Sequence, residues 1–183
     1  MRKISLSHII SIVLIVFFSS FENIEAASEI GYTNYRLSIG VRRHSDNVKS
    51  LDFLPFSEPN LSTVVFYELH QYEEGAFWQF GVGYADSPEG DIKVTHVLTP
   101  QLNLIIKKAN IRMGIGGLKS KISTYDKDWW TDIYGQLIAG MNFPLQKRLS
   151  IDFNMYYIFG QWGHLTSLNS NNLDFGLLLN YRF

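Results

Sequence analysis

The chain has 183 residues, with 16 Lys and Arg against 17 Asp and Glu, a formal net charge of −1, 46% hydrophobic and 15% aromatic residues, and no Cys. This excludes a disulfide framework, a lipoprotein anchored through an amino-terminal thiol, and a charge-rich disordered chain. The missing basic excess removes the electrostatic drive for binding phosphate backbones, so no nucleic-acid partner is expected.

Arg2 and Lys3 precede an apolar stretch from Ile9 to Phe18, and Ile24-Glu25-Ala26-Ala27 follows. A basic head, a short apolar segment and small residues in that order predict a secretory signal peptide over residues 1–26 and a mature domain over 27–183. Cleavage after Ala26 ranks above cleavage after Ala27, which would put the charged Glu25 where a small residue is preferred. The apolar stretch falls short of the roughly 20 residues of a helix crossing a bilayer.

From residue 32 onward the chain alternates apolar and polar residues with period two, which predicts an all-β protein of eight strands. Residues 33–43 set Tyr35, Leu37, Ile39 and Val41 against Arg36, Ser38, Gly40 and Arg42. Residues 61–71 set Val65, Tyr67 and Leu69 against Ser62, Glu68 and His70, and 76–86 set Trp78, Phe80, Val82 and Tyr84 against Gln79, Gly81 and Gly83. The long run 91–107 keeps Ile92, Val94, His96, Leu98, Leu102, Leu104 and Ile106 on one parity, with Pro100 marking a bulge. Residues 110–121 oppose Ile111, Met113 and Ile115 to Arg112, Gly114 and Gly116, and 132–143 oppose Leu137, Ala139, Met141 and Phe143 to Gln136, Gly140 and Asn142. Residues 149–160 and 172–183 are the most regular, ending in Phe175, Leu177, Leu179, Tyr181 and Phe183 against Asp174, Gly176, Asn180 and Arg182.

The connections near 73–75, 108–110 and 144–148 are tight, whereas 44–60, 86–91, 122–131 and 161–171 are mostly longer. Short turns at one rim and long loops at the other predict a transmembrane barrel whose short turns face the periplasm. Long charged side chains on the polar face, interleaved with glycines, suit the interior of an eight-stranded barrel, which side chains just fill. The apolar face then meets lipid, closure removes unpaired sheet edges, and terminal aromatics form interfacial girdles. Arg36, Glu68, Arg112, Asp152 and Arg182 are expected to pair across the lumen.

With its leader, eight alternating strands, asymmetric connections and the end Leu-Asn-Tyr-Arg-Phe, the chain resembles small Gram-negative outer-membrane barrels of the OmpA and OmpX type, and more weakly the lipid A deacylase PagL. The resemblance implies the outer membrane, a monomer, contact with lipid and lipopolysaccharide, and delivery to the barrel-assembly machinery through Phe183. It implies no cofactor.

The histidines show no metal-ligand spacing, so no metal is expected. The first functional expectation is a non-enzymatic envelope protein whose extracellular loops serve surface interaction or structure; no residue is assigned as catalytic. A PagL-like deacylase is the second, with a serine nucleophile, a histidine base and an orienting carboxylate. Its candidates are His164 with Ser167, and His96 with Ser123. Position 166 is Thr rather than Ser, Ser167 has the wrong parity for His164, and no Glu follows. Transport through a narrow pore is the third. His96, Lys119 and Lys121 share outward parity near the upper rim and are candidates for lipopolysaccharide phosphates. Tyr125, Trp129 and Trp130 in the loop 122–131 are candidate contact residues, since such aromatics dominate binding hot spots.

Overall fold

A computed structural model describes residues 34–47, 51, 54–57, 60–70, 75–88, 94–161, 165 and 169–183. The expected leader lies outside them. The strands are β1 (Asn34–Arg43), β2 (Leu61–His70), β3 (Gly75–Asp86), β4 (Val94–Lys108), β5 (Ile111–Leu118), β6 (Lys121–Thr124), β7 (Asp128–Trp130), β8 (Tyr134–Pro144), β9 (Leu149–Phe159) and β10 (Leu173–Arg182). All described pairings are antiparallel. The order β3-β2-β1-β10-β9-β8-β5-β4, with β4 returning to β3, closes an eight-stranded barrel. β6 and β7 form a hairpin that carries the β5 and β8 walls upward, β6 pairing with the long β4.

Closure joins the two ends of the chain: β1 pairs with β10 from Arg36↔Arg182 to Arg43↔Phe175, and the Phe183 amide donates to the Tyr35 carbonyl at 3.0 Å. The alternation sets the faces. Leu37, Ile39, Val41, Phe80, Val82, Leu102, Met141, Phe153, Leu177 and Leu179 point outward and are exposed, while Ser38, Glu68, Gln79, Asn103, Arg112, Gln136, Asp152, Asn154 and Asn180 are buried inside. A soluble barrel would reverse this arrangement. Aromatics gather at the short-turn rim, where Tyr35 stacks on Tyr67 at 5.8 Å and Tyr181 meets Phe183 edge-on at 5.1 Å.

The structure corrects three expectations. Pro100 carries no bulge: it pairs with Val82 and stands where β5 ends and β4 changes partner to β6, so its missing N–H falls beside that break. The irregularity lies between Val94 and His96, where one extra residue reverses the parity. Val94 therefore points into the interior cluster instead of outward. Second, residues 44–60 are not simply a surface loop: Leu51, Leu54 and Phe56 fold into the mouth and pack against Ala85, Val97, Leu118, Ile122, Tyr134 and Ile158. The lumen thus alternates polar clusters with apolar ones, the plug cluster at the mouth and those around Phe77, Ile105, Ile138 and Tyr156 and around Val64, Phe66 and Leu178. Third, much of 122–131 is the β6–β7 hairpin rather than irregular loop.

Two backbone positions show how tightly the wall is drawn. Gly116 lies where a Cβ would collide with the Asn103 side chain and the Leu102 carbonyl, so only glycine lets β5 pass that lumen amide. Ala109, in the two-residue turn between β4 and β5, has φ of +52°, which a side chain disfavours by about 1 kcal/mol or more. Ala109→Gly should therefore raise stability by roughly 0.5–1 kcal/mol in reversible urea unfolding from lipid vesicles; a lower midpoint would show that the turn is unstrained.

Candidate functional site

The period-two alternation of β2, β5 and β9 turns Glu68, Arg112 and Asp152 inward from different sides of the barrel. Glu68 is fully buried; its Oε1 accepts from Arg112 Nη2 at 2.6 Å and Gln79 Nε2 at 2.8 Å, and its Oε2 meets His70 Nε2 at 2.7 Å and Arg36 Nε at 3.8 Å. The other arm of Arg112 pairs with Asp152 of β9, two strands along the wall from β5, and Asp152 is itself held by Asn142 at 2.5 Å. Phe77 supports the site, stacked on His70 at 3.8 Å and lying under the Arg112 guanidinium at 5.4 Å. Arg182 stands opposite Arg36 at the short-turn end of the wall, half-buried.

A second cluster lies nearer the mouth. Asp174 Oδ2 accepts from Arg42 Nε at 3.0 Å and faces His44 Nδ1 at 2.7 Å, while its Oδ1 accepts from the Ser45 amide at 3.0 Å and Asn47 Nδ2 at 2.9 Å. His44 Nε2 faces the Ser62 hydroxyl. A run of amides joins the two clusters: Arg42 Nη1 donates to Gln136 at 3.2 Å, Gln136 to Asn103 at 2.7 Å, Asn103 to Gln79 at 2.8 Å, and Gln79 to Glu68. Every link donates in the direction from the cation to the anion, so the bonds polarise one another. Sequence reasoning missed His44 as a lumen residue. Its even parity continues that of Arg42 beyond the end of β1, and the His44 amide still donates to the Asn60 carbonyl at 2.8 Å.

On the outside, near the mouth, His96 stacks on Tyr84 at 6.1 Å, Lys119 lies over the Trp130 ring at 5.8 Å, and Lys121 pairs with Asp128 at 2.7 Å. The Lys121 ammonium, then the Ser123 hydroxyl, hold the exposed Asp128 carboxyl below its ordinary pKa. His96 and Ser123 are register partners, but the described hydrogen bond of the His96 ring is to Thr95 at 3.3 Å. Tyr125 is 86% exposed at the hairpin tip. Trp129 is half-buried, packs on the interior cluster and lies under Lys127 at 5.3 Å, while Trp130 faces outward. His164 and Ser167 lie outside the described residues. Among the described residues no group of His, Asp and Glu converges as metal ligands would.

A closed eight-stranded sheet, apolar outside, ion-paired inside and ringed with aromatics, defines a small outer-membrane β-barrel. No family model matches the chain, and no curated protein does. Among solved structures it is similar to the attachment invasion locus protein Ail of Yersinia pestis, with 15% identity over 82% of this chain and 99% of Ail at a TM-score of 0.44. Ail in a phospholipid nanodisc gives 11% identity, 83% and 100% coverage and a TM-score of 0.47. Neisserial surface protein A gives 11% identity, 82% and 94% coverage and a TM-score of 0.44.

Glu68→Ala removes one of the two carboxylates that hold Arg112 and leaves an excess of buried positive charge, so it should lower stability by about 3 kcal/mol. The double variant Glu68→Ala/Arg112→Ala should lose less than the two single losses added together. The urea midpoint in lipid vesicles checks both; strict additivity would show that the pair does not interact.

Proposed function

We propose that this barrel is a surface protein of the outer membrane that seats its mouth against lipopolysaccharide and presents the β6–β7 hairpin outward for contact with another macromolecular surface. The observation that carries this is the outward convergence of Lys119, Lys121 and His96 with Tyr84 and Trp130 on one rim of the wall. Ammonium groups beside aromatic rings suit anionic headgroup phosphates bordering an apolar layer, and Trp and Tyr belong at that boundary. The hairpin stands on the same rim and is stiff. Thr124 accepts from the Lys127 amide and donates to its carbonyl, Lys121 pairs with Asp128, and Trp129 anchors the hairpin in the barrel interior. Tyr125 is thereby offered to the exterior at little entropic cost, as a binding anchor requires.

The cross-lumen amide run and the plug weigh against a standing aqueous pore. A resident monomer and insertion through Phe183 belong to the same proposal, supported by the paired and exposed carboxyl-terminal strand.

Thermal unfolding in phospholipid vesicles with and without lipopolysaccharide tests the rim. The wild type should gain several degrees from lipopolysaccharide, and Lys119→Glu/Lys121→Glu should lose most of that gain while remaining folded in plain phospholipid. An equal gain in both proteins would remove the rim from the proposal.

A further inference from the structure

Three inward-facing residues on adjacent strands meet below the plug. Ser62 opens the inner face of β2, His44 continues β1, and Asp174 opens the inner face of β10. All three are buried. Asp174 is held by Arg42 Nε, the Ser45 amide and Asn47 Nδ2, so it is an acceptor fixed from several sides. Its contact with His44 Nδ1 sets the tautomer: Nδ1 carries the proton and donates to the carboxylate, leaving Nε2 as an acceptor. The partner of Nε2 is the Ser62 hydroxyl, which must then donate. Carboxylate, imidazole and hydroxyl thus stand in the order that turns a serine into a nucleophile, an arrangement recognised by geometry and roles whatever the chain order.

Two further features complete a site. Arg42 is the cross-strand partner of Ser62, and its Nη2 is buried with no hydrogen bond among the described residues. That unused cationic N–H belongs to the residue paired with Ser62 across the two strands, and a developing oxyanion needs such a donor. Above His44, Phe56 lies parallel to the imidazole at 3.8 Å, with Leu54 and Leu51 in the same apolar cluster. These plug side chains fill the volume that an acyl chain would take.

We propose that Ser62, His44 and Asp174 form a lumenal esterase site that takes carboxylic esters with a linear acyl chain, the chain taking the seat of Leu54 and Phe56 by displacing those side chains. Ser62 Oγ attacks the ester carbonyl carbon and its proton passes to His44 Nε2, while Asp174 stabilises the imidazolium through Nδ1–H. The carbonyl oxygen becomes the oxyanion facing Arg42. The bond to the leaving alcohol then breaks, and that alcohol takes the proton from His44. Water attacks the acyl-Ser62 with His44 again as base; the carboxylic acid leaves and the proton returns to Ser62. The site is distinct from the pairs His164 with Ser167 and His96 with Ser123, and it faces the lumen instead of lipid.

The test treats the full mature protein, refolded in detergent, with an alkyl fluorophosphonate, and locates the adduct by peptide mass spectrometry. Leu51→Ala and Leu54→Ala, which loosen the plug while leaving the Phe56 stack on His44 in place, should label at Ser62 at least tenfold faster than wild type. Both should release p-nitrophenolate from p-nitrophenyl butyrate. Ser62→Ala should take no label, and His44→Gln should label at least a hundredfold more slowly in the loosened background. The heat-dependent gel shift reports folding for each protein. Absence of a Ser62 adduct from wild type and from every folded plug variant overturns the proposal. Labelling that is indifferent to His44→Gln does so equally, because it marks a hydroxyl that is merely accessible.

Discussion

Everything inside this protein follows from closing eight strands around a lumen that their own side chains must fill. Burial there withdraws Glu68, Asp152 and Asp174 from bulk solvent, so each carboxylate needs donors from the wall. Arg112 answers this for two of them at once, binding Glu68 of β2 and Asp152 of β9 from β5. The amide run from Arg42 to Glu68 then ties the upper cluster to the lower, so a disturbance at either end reorients donors along its length. A network joined end to end across the lumen favours one arrangement of the strands over its alternatives.

The apolar half of the lumen obeys a different balance. On the outer wall, exchanging a lipid contact for a protein contact gains little, because acyl chains are as apolar as leucine. Inside the mouth the alternative to protein is water, and there burying Leu51, Leu54 and Phe56 against Val97, Ile122 and Ile158 gains about 25 cal/mol for each Å² removed from it. The hydrophobic effect therefore acts inside this barrel, at the mouth and at the lumen clusters around Phe77 and Phe66, more than on its outer wall. Something similar occurs on the flank, where Leu165 packs against Tyr157 and Phe159 of β9 and covers outward aromatics that would otherwise stand above the lipid.

Strand positions and faces were legible in the sequence because a barrel in lipid leaves its alternation uninterrupted: Leu173 to Phe183 names its outer face by parity alone. Partners were not, since parity says that Glu68 and Arg112 point inward but not which wall each reaches; that depends on register and on glycines such as Gly116 that admit Asn103. Val94 was misplaced because the extra residue before His96 leaves no compositional mark, whereas Pro100 offers an obvious mark at a position where the ladder simply changes partners. The plug was overlooked although Leu51, Leu54 and Phe56 stand in its sequence, because a long connection between strands reads as loop however apolar its members. His44 was overlooked for the same reason, one residue beyond the end of β1.

These oversights share a cause that bears on function. Periodicity identifies what the wall requires, and it is silent where the chain leaves the wall and returns to it. The Ser62, His44 and Asp174 relay sits at that boundary, with Ser62 and Asp174 on the wall and His44 on the segment that turns back into the mouth. The ladder contact from His44 to Asn60 holds the imidazole as firmly as a strand residue, while its stacking on Phe56 couples it to the plug. A rigid carboxylate and hydroxyl on one side and a removable apolar cover on the other is the division of labour that lets a buried polar site remain both ordered and openable.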